Sequence, residues 1–234
     1  MNQYTKIFLF LTLILVGACK KKEVEKELET GTVTDIDGTT YQTVKIGDDW
    51  WMSENLNVTK YRDGTPITAI AVEDDSLWSI QTDGACSYID TRYGRLYNWF
   101  AVTSNREIAP AGWHIPTDAE WKALEKELGM SDGDLNATAW RGTNQAETLI
   151  PLASEGWPTT SIPSGTNKSG FSALPGGCRL FDGTINDQSS MAFWWTASEE
   201  GNQAWYRYLD SQKKNVFRHY TYKKYGFSIR CIKD

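Results

Sequence analysis

The sequence predicts an α+β domain of antiparallel strands, with two helices in its N-terminal half and long irregular loops. Three observations carry this. Strand-like alternation around turn signals opens the domain near Thr32, a helix-capping signature stands at Thr117 and Glu120, and strand-like runs with short connections close it.

Ahead of the domain, Lys6 is followed by an apolar run over residues 7–16 and by Gly17-Ala18-Cys19. The run is well short of the ~20 residues that cross a bilayer, and its small-residue exit gives a peptidase an unhindered backbone. Residues 1–18 are therefore expected to be a signal peptide, and Val16-Gly17-Ala18-Cys19 a lipobox in which Cys19 is lipidated. Two or three acyl chains, palmitate among them, give durable anchoring at roughly 0.8 kcal/mol per buried CH₂. The implied partner is a membrane, reached through the lipid, and the expected location is the cell envelope, at the outer membrane. Residues 19–31 read as the lipidated cysteine and a charged tether, because Lys20-Lys21-Lys22-Glu23-Val24-Glu25-Lys26-Glu27 offers too little apolar surface to pack. Residues 32–234 are expected to form one domain.

Within it, Thr32-Val33-Thr34 leads into the turn Asp35-Ile36-Asp37-Gly38, and Tyr41-Gln42-Thr43-Val44-Lys45-Ile46 alternates as a strand. Gly47-Asp48-Asp49 makes a second turn before Trp50-Trp51-Met52. No bidentate Glu follows Asp35, Asp37, Asp48 and Asp49 at calcium-loop spacing, so turns are the expectation there. From Asp63 to Arg92 periodicity is lost, which predicts a long surface loop. The aromatic stretch from Tyr93 through Tyr97 and Trp99 to Val102 is expected to pack on the core as a short helix or strand.

Thr117 and Glu120 form a capping box before Trp121, Leu124 and Leu128, predicting a helix over 118–128. Glu120 then caps and Asp118 complements the helix dipole, so His114, Asp118 and Glu120 read as structural groups, not as an acid–base set. A second short helix opens at Ser131-Asp132-Gly133-Asp134, and the Gly/Ser/Thr/Pro-rich residues 141–170 predict another irregular connection. Strands return over 170–174, 191–198, 204–209, 215–220 and 226–232.

A net charge of −6 and a pI near 5.1 give no clustered basic surface, so nucleic acid is excluded as a partner. Besides Cys19, the cysteines are Cys86, Cys178 and Cys231. Either one pair forms and one thiol is left, or all three are small buried hydrophobes. There is no CxxC, and His114 and His219 lie far apart, so neither a metal nor a cofactor is expected.

Several blocks together resemble the Fibrobacter succinogenes major paralogous domain. They are Asp37-Gly38 with Tyr41, Thr43-Val44-Lys45-Ile46-Gly47, Trp51-Met52 with Glu54-Asn55-Leu56, and Tyr93-Gly94-Arg95-Leu96-Tyr97-Asn98-Trp99. Gly112-Trp113-His114-Ile115-Pro116-Thr117-Asp118 with Glu120-Trp121, Ser169-Gly170-Phe171-Ser172-Ala173-Leu174-Pro175-Gly176-Gly177, and Ser228 with Arg230-Cys231 complete the set. The resemblance implies a C-type-lectin-like fold, related to sulfatase-modifying-factor domains, in an exported protein. Members often carry a cysteine just before the Gly-Trp block, where this chain has Ile108-Ala109-Pro110-Ala111. The calcium motifs of sugar-binding C-type lectins are missing, Ile185-Asn186-Asp187 coming nearest, and Cys178 and Cys231 lack the spacing of the copper-binding pair of the oxidase relatives.

The function expected is a lipid-anchored, non-catalytic envelope module that offers aromatic side chains to a glycan or protein partner. Aromatic faces stack on sugar rings or anchor interfaces while an N–H or O–H donates one hydrogen bond. The candidates are Trp194, Trp195, Trp205, Tyr206, Arg207, Arg218, His219 and Tyr220, on the late strands, where alternation should send about half into the core. The alternatives are a structural or adhesion subunit of a surface assembly, and a sulfatase-modifying-factor-like enzyme or a hydrolase using Asp182 and Asp187. No nucleophile elbow or Ser/His/Asp order supports an enzyme.

Overall fold

Asp35 builds the first turn. Its carboxylate accepts the amides of Asp37 and Thr39 and the hydroxyl of Tyr41, while Gly38 adopts a left-handed φ of 83° that a side chain would resist. Asp37 accepts the amide and hydroxyl of Thr59 and pairs with Lys60 at 3.0 Å. Both aspartates therefore fasten turns and loops. The computed structural model describes residues 27–151, 156–160 and 164–234, so the expected signal peptide, Cys19 and most of the tether lie outside the described residues.

In chain order the elements are β1 (Thr30–Thr34), β2 (Thr40–Ile46), β3 (Asp49–Met52), β4 (Thr68–Ala69), α1 (Asp75–Ser79), β5 (Ala85–Asp90), β6 (Gly94–Asn98) and α2 (Trp99–Val102). There follow β7 (Trp113–His114), α3 (Asp118–Glu127), α4 (Asp132–Leu135), β8 (Ala139–Arg141), α5 (Gln145–Leu149), β9 (Cys178–Arg179) and β10 (Ile185–Asn186). The chain closes with β11 (Met191–Glu200), β12 (Gln203–Asp210), β13 (Val216–Tyr222), β14 (Gly226–Phe227) and β15 (Ile232–Lys233). Among the described residues they form three sheets, ordered β1-β2-β3-β15-β7, β10-β9-β14-β6-β5-β4 and β11-β12-β13-β8. Pairing is antiparallel except between β4 and β5, so the α+β class holds.

The helix α3 carries the expected capping box, with Thr117 accepting the Glu120 amide and Glu120 accepting the Thr117 amide. Among the described residues four other helices, of four or five residues each, accompany it, where two helices were expected, α4 being the second of those. Such single turns are too short to display a 3.6-residue period. Residues 63–92 are not one surface loop: Ile67, Ile70, Trp78 and Cys86 are buried, and β5 lies inside the six-stranded sheet. Residues 141–170 contain α5. The strand expected over 170–174 is absent. Phe171 and Ala173 are buried there, but side chains serve their carbonyls: Arg230 donates to Phe171 and Ser172, and the Trp157 indole donates to Ala173.

All three described cysteines are free and buried, which resolves the choice left open by their number. Burial pushes the Cys86 thiol up to about 11 and that of Cys178 up to about 12. The core divides around the four-stranded sheet. On one side Trp121 of α3 meets Trp51 at 5.2 Å, Phe171 at 5.7 Å and Trp194 at 6.0 Å. On the other, Trp195 and Phe193 pack on Phe227 at 4.3 and 5.2 Å. Each such aromatic pair adds about 0.5–1.5 kcal/mol beyond its buried area.

Candidate functional site

Strand register decides which late aromatic residues reach solvent. Phe193 of β11 lies opposite Tyr208 of β12, Tyr208 opposite Phe217 of β13, and Phe217 opposite Trp140 of β8. Directly opposed residues share one face of a sheet, so four consecutive strands place one aromatic ring each in a row. The rings follow one another at 4.9, 4.4 and 5.2 Å, and Trp140 also reaches Tyr208 at 4.9 Å. Phe193 is buried at one end, whereas Tyr208, Phe217 and Trp140 are half-buried. A second row on the same face runs from Trp195 through Tyr206 to His219. Tyr206 stands 6.2 Å from Tyr208 with the two ring planes 9° apart.

Phe227 continues this surface beneath Tyr206 at 5.1 Å, and Tyr225 and Phe181 extend it at 5.7 and 5.8 Å. Phe181 is 48% exposed and Tyr222, 6.0 Å from it, 60%, unusual values for large rings in contact. Between Phe193, Tyr206, Tyr208 and Tyr225 lies a groove of about 320 Å³ with Asp187 at its edge. Burial and the charges of Asp210 and Asp187 push the Tyr208 hydroxyl up to about 12, and burial also raises that of Tyr206. Both hydroxyls therefore carry protons at neutral pH and can donate.

The opposite face is occupied by charge. Asp118 accepts from Arg207 Nη1 and from Arg218 Nε and Nη2, each at 2.8 Å, and Glu125 accepts from Arg207 Nε at 2.7 Å and Arg141 Nη2 at 2.6 Å. Burial opposes ionisation of Asp118, but the hydrogen bonds and charges of Arg218 and Arg207 outweigh it and hold the carboxyl well below the usual range. Asp118 is thus more than a dipole complement: it locks α3 to β12 and β13.

These two faces sort the eight residues singled out from sequence. Trp194 and Trp195 are buried, their indole N–H groups donating to Asn55 Oδ1 and the Tyr97 carbonyl. Arg207 and Arg218 are buried in the charge cluster. Tyr206 and His219 lie on the aromatic face. Trp205 and Tyr220 are half-buried on the other face, 5.0 Å apart, with the Arg218 guanidinium 3.8 Å from the Trp205 ring. Sequence reasoning missed Tyr208, Phe217 and Trp140. The i, i+2 pairs Tyr206 with Tyr208 and Phe217 with His219 were its available signal.

A second hollow of about 420 Å³ is bordered by Arg62, Thr103, Ser104, Glu107 and His114. Its ionisable groups engage one another. Arg62 donates to the carbonyls of Ala109, Pro110 and Trp113 and pairs with Glu107, while His114 bridges Glu120 at 2.8 Å and Asp234 at 2.7 Å. Asp182 and Asp187, the pair considered for hydrolysis, share no partner. Asp182 accepts the Thr184 amide in its own turn, and Asp187 stands by the groove. No group of three or more His, Cys, Asp or Glu side chains among the described residues is arranged to hold a metal ion.

Residues 44–233 match the family described as the Fibrobacter succinogenes major domain, and the chain belongs to that family. No curated protein and no solved structure matches it.

Proposed function

From that membership and the two faces of the four-stranded sheet, we propose a non-catalytic binding module of the cell envelope. Lipid on Cys19 anchors it to the outer membrane, and the aromatic face of β11, β12, β13 and β8 engages a glycan or protein partner. The observation that carries this reading is the cross-strand row Phe193–Tyr208–Phe217–Trp140, three of its four rings only half-buried and the row continuous with Tyr206, Tyr225 and Phe181. A folded chain gains by burying rings, so a run left accessible on one sheet face fits a surface that is covered on binding. We read the scaffold as C-type-lectin-like, with recognition moved to a sheet face and independent of calcium.

The test is binding of residues 20–234 to an array of envelope polysaccharides and envelope proteins, with and without calcium. Saturable binding, unaffected by calcium and lost on Tyr208→Ala, is expected. Binding that survives Tyr208→Ala and Phe217→Ala together would place the partner elsewhere.

A further inference from the structure

The groove on the aromatic face has a chemistry of its own. Tyr206, Tyr208 and Tyr225, each half-buried, line it, with the Tyr206 and Tyr208 ring planes 9° apart, and the buried Phe193 and Phe227 also border it. One ionisable acid borders it, Asp187, and no lysine, arginine or histidine lines it. The Asp187 carboxylate has no hydrogen-bond or ion-pair partner among the described residues. Its backbone carbonyl accepts the amides of Ser190 and Met191 and the Ser190 hydroxyl. Asp210 adds a second negative charge nearby, opposite Met191 on the neighbouring strand.

Resting on the binding-module reading, we propose that this groove is a subsite for a sugar with a free amino group, its ammonium against Asp187 and its ring on the Tyr206 and Tyr208 faces. Three features fit that occupant together. Flat ring faces accept the apolar face of a pyranose. The hydroxyls of Tyr206, Tyr208 and Thr221 can exchange hydrogen bonds with those of the sugar. An unpaired carboxylate beside electron-rich aromatic faces favours a cation and repels uronates and sulfated sugars. The volume, about 320 Å³, suits a single small ligand.

The experiment compares a glucosamine trimer with cellotriose, the neutral glucan of equal length, by titration calorimetry on residues 20–234 and on Asp187→Asn. Asp187 has a left-handed φ of 60°, which asparagine adopts as readily, so the variant should fold. The glucosamine trimer is expected to bind about 3- to 30-fold tighter than cellotriose, a preference that shrinks in 1 M salt. Asp187→Asn should erase the preference, bringing the two trisaccharides to equal affinity. Equal binding of the two sugars, or a preference that survives Asp187→Asn, overturns the inference while leaving the aromatic-face reading intact. Silence with both sugars also overturns it, and the broader array then decides the wider reading separately.

Discussion

Asp118→Asn keeps the shape of the side chain and removes one of two carboxylates that face Arg141, Arg207 and Arg218 in a buried cluster. In the native chain three guanidiniums meet Asp118 and Glu125, with Lys122 reaching Asp118 at 3.3 Å from a more exposed position. The substitution leaves Glu125 as the cluster's sole anion and weakens three hydrogen bonds of 2.8 Å. Removing one partner of a buried pair costs about 3–5 kcal/mol, because the remaining charges stay buried without compensation. Urea unfolding followed by tryptophan fluorescence measures it. A loss below about 1 kcal/mol, the scale of exposed ion pairs, would refute the view that Asp118 locks α3 to the sheet. The acid limb provides a second reading. Because the folded carboxyl is held below the ordinary aspartate value of 3.8, its stabilisation is complete above that pH and is lost as pH falls below it. The native and Asp118→Asn curves should therefore draw together in that acid range.

Tyr208→Ala, on the half-open row, should abolish partner binding at a cost of no more than about 2 kcal/mol in stability, whereas Trp195→Ala, fully buried, should cost about 3–5 kcal/mol. Titrating binding and unfolding of both variants separates a ligand contact from a core ring. His114 titrates in the opposite sense to Asp118. Burial lowers its pKa, but the hydrogen bonds and charges of Asp234 and Glu120 raise it above 6.5 overall. Its contribution is thus present below that value and lost as pH rises through the higher folded one, so melting temperature should drop across that interval in the native chain and not in His114→Gln. Iodoacetamide at pH 8 should leave Cys86, Cys178 and Cys231 unmodified in the folded domain and alkylate all three in urea, read by mass spectrometry.

What the sequence made legible was mainly local. The capping box of α3 is written in four residues, and β11, β12 and β13 are marked by runs of rings and β-branched side chains. Alternation along β12 and β13 separates the buried Arg207 and Arg218 from their half-buried neighbours, but adjacent Trp194 and Trp195 on β11 are both buried, because that strand is covered on both faces. Which candidates are buried depended on long-range partners: α3 brings carboxylates to Arg207 and Arg218, and β6 covers Trp195 through the Tyr97 carbonyl. Trp140 escaped notice because β8 is three residues long and gains its place in the row by pairing with Phe217 far along the chain. The 170–174 segment misled for a related reason. Its apolar residues are buried, but their carbonyls are served by Arg230 and Trp157, an arrangement that no periodicity encodes.

The aromatic face of the four-stranded sheet is the proposed meeting place of this domain with its partner. Carbene footprinting of residues 20–234, with and without a saturating envelope fraction, tests it directly, because labelling reports side-chain cover residue by residue. Protection of Trp140, Tyr206, Tyr208, Phe217 and Tyr225 is expected, with the hollow beside Arg62 and His114 still labelled. Protection of Thr103, Ser104 and His114, with the aromatic row still open, would contradict it.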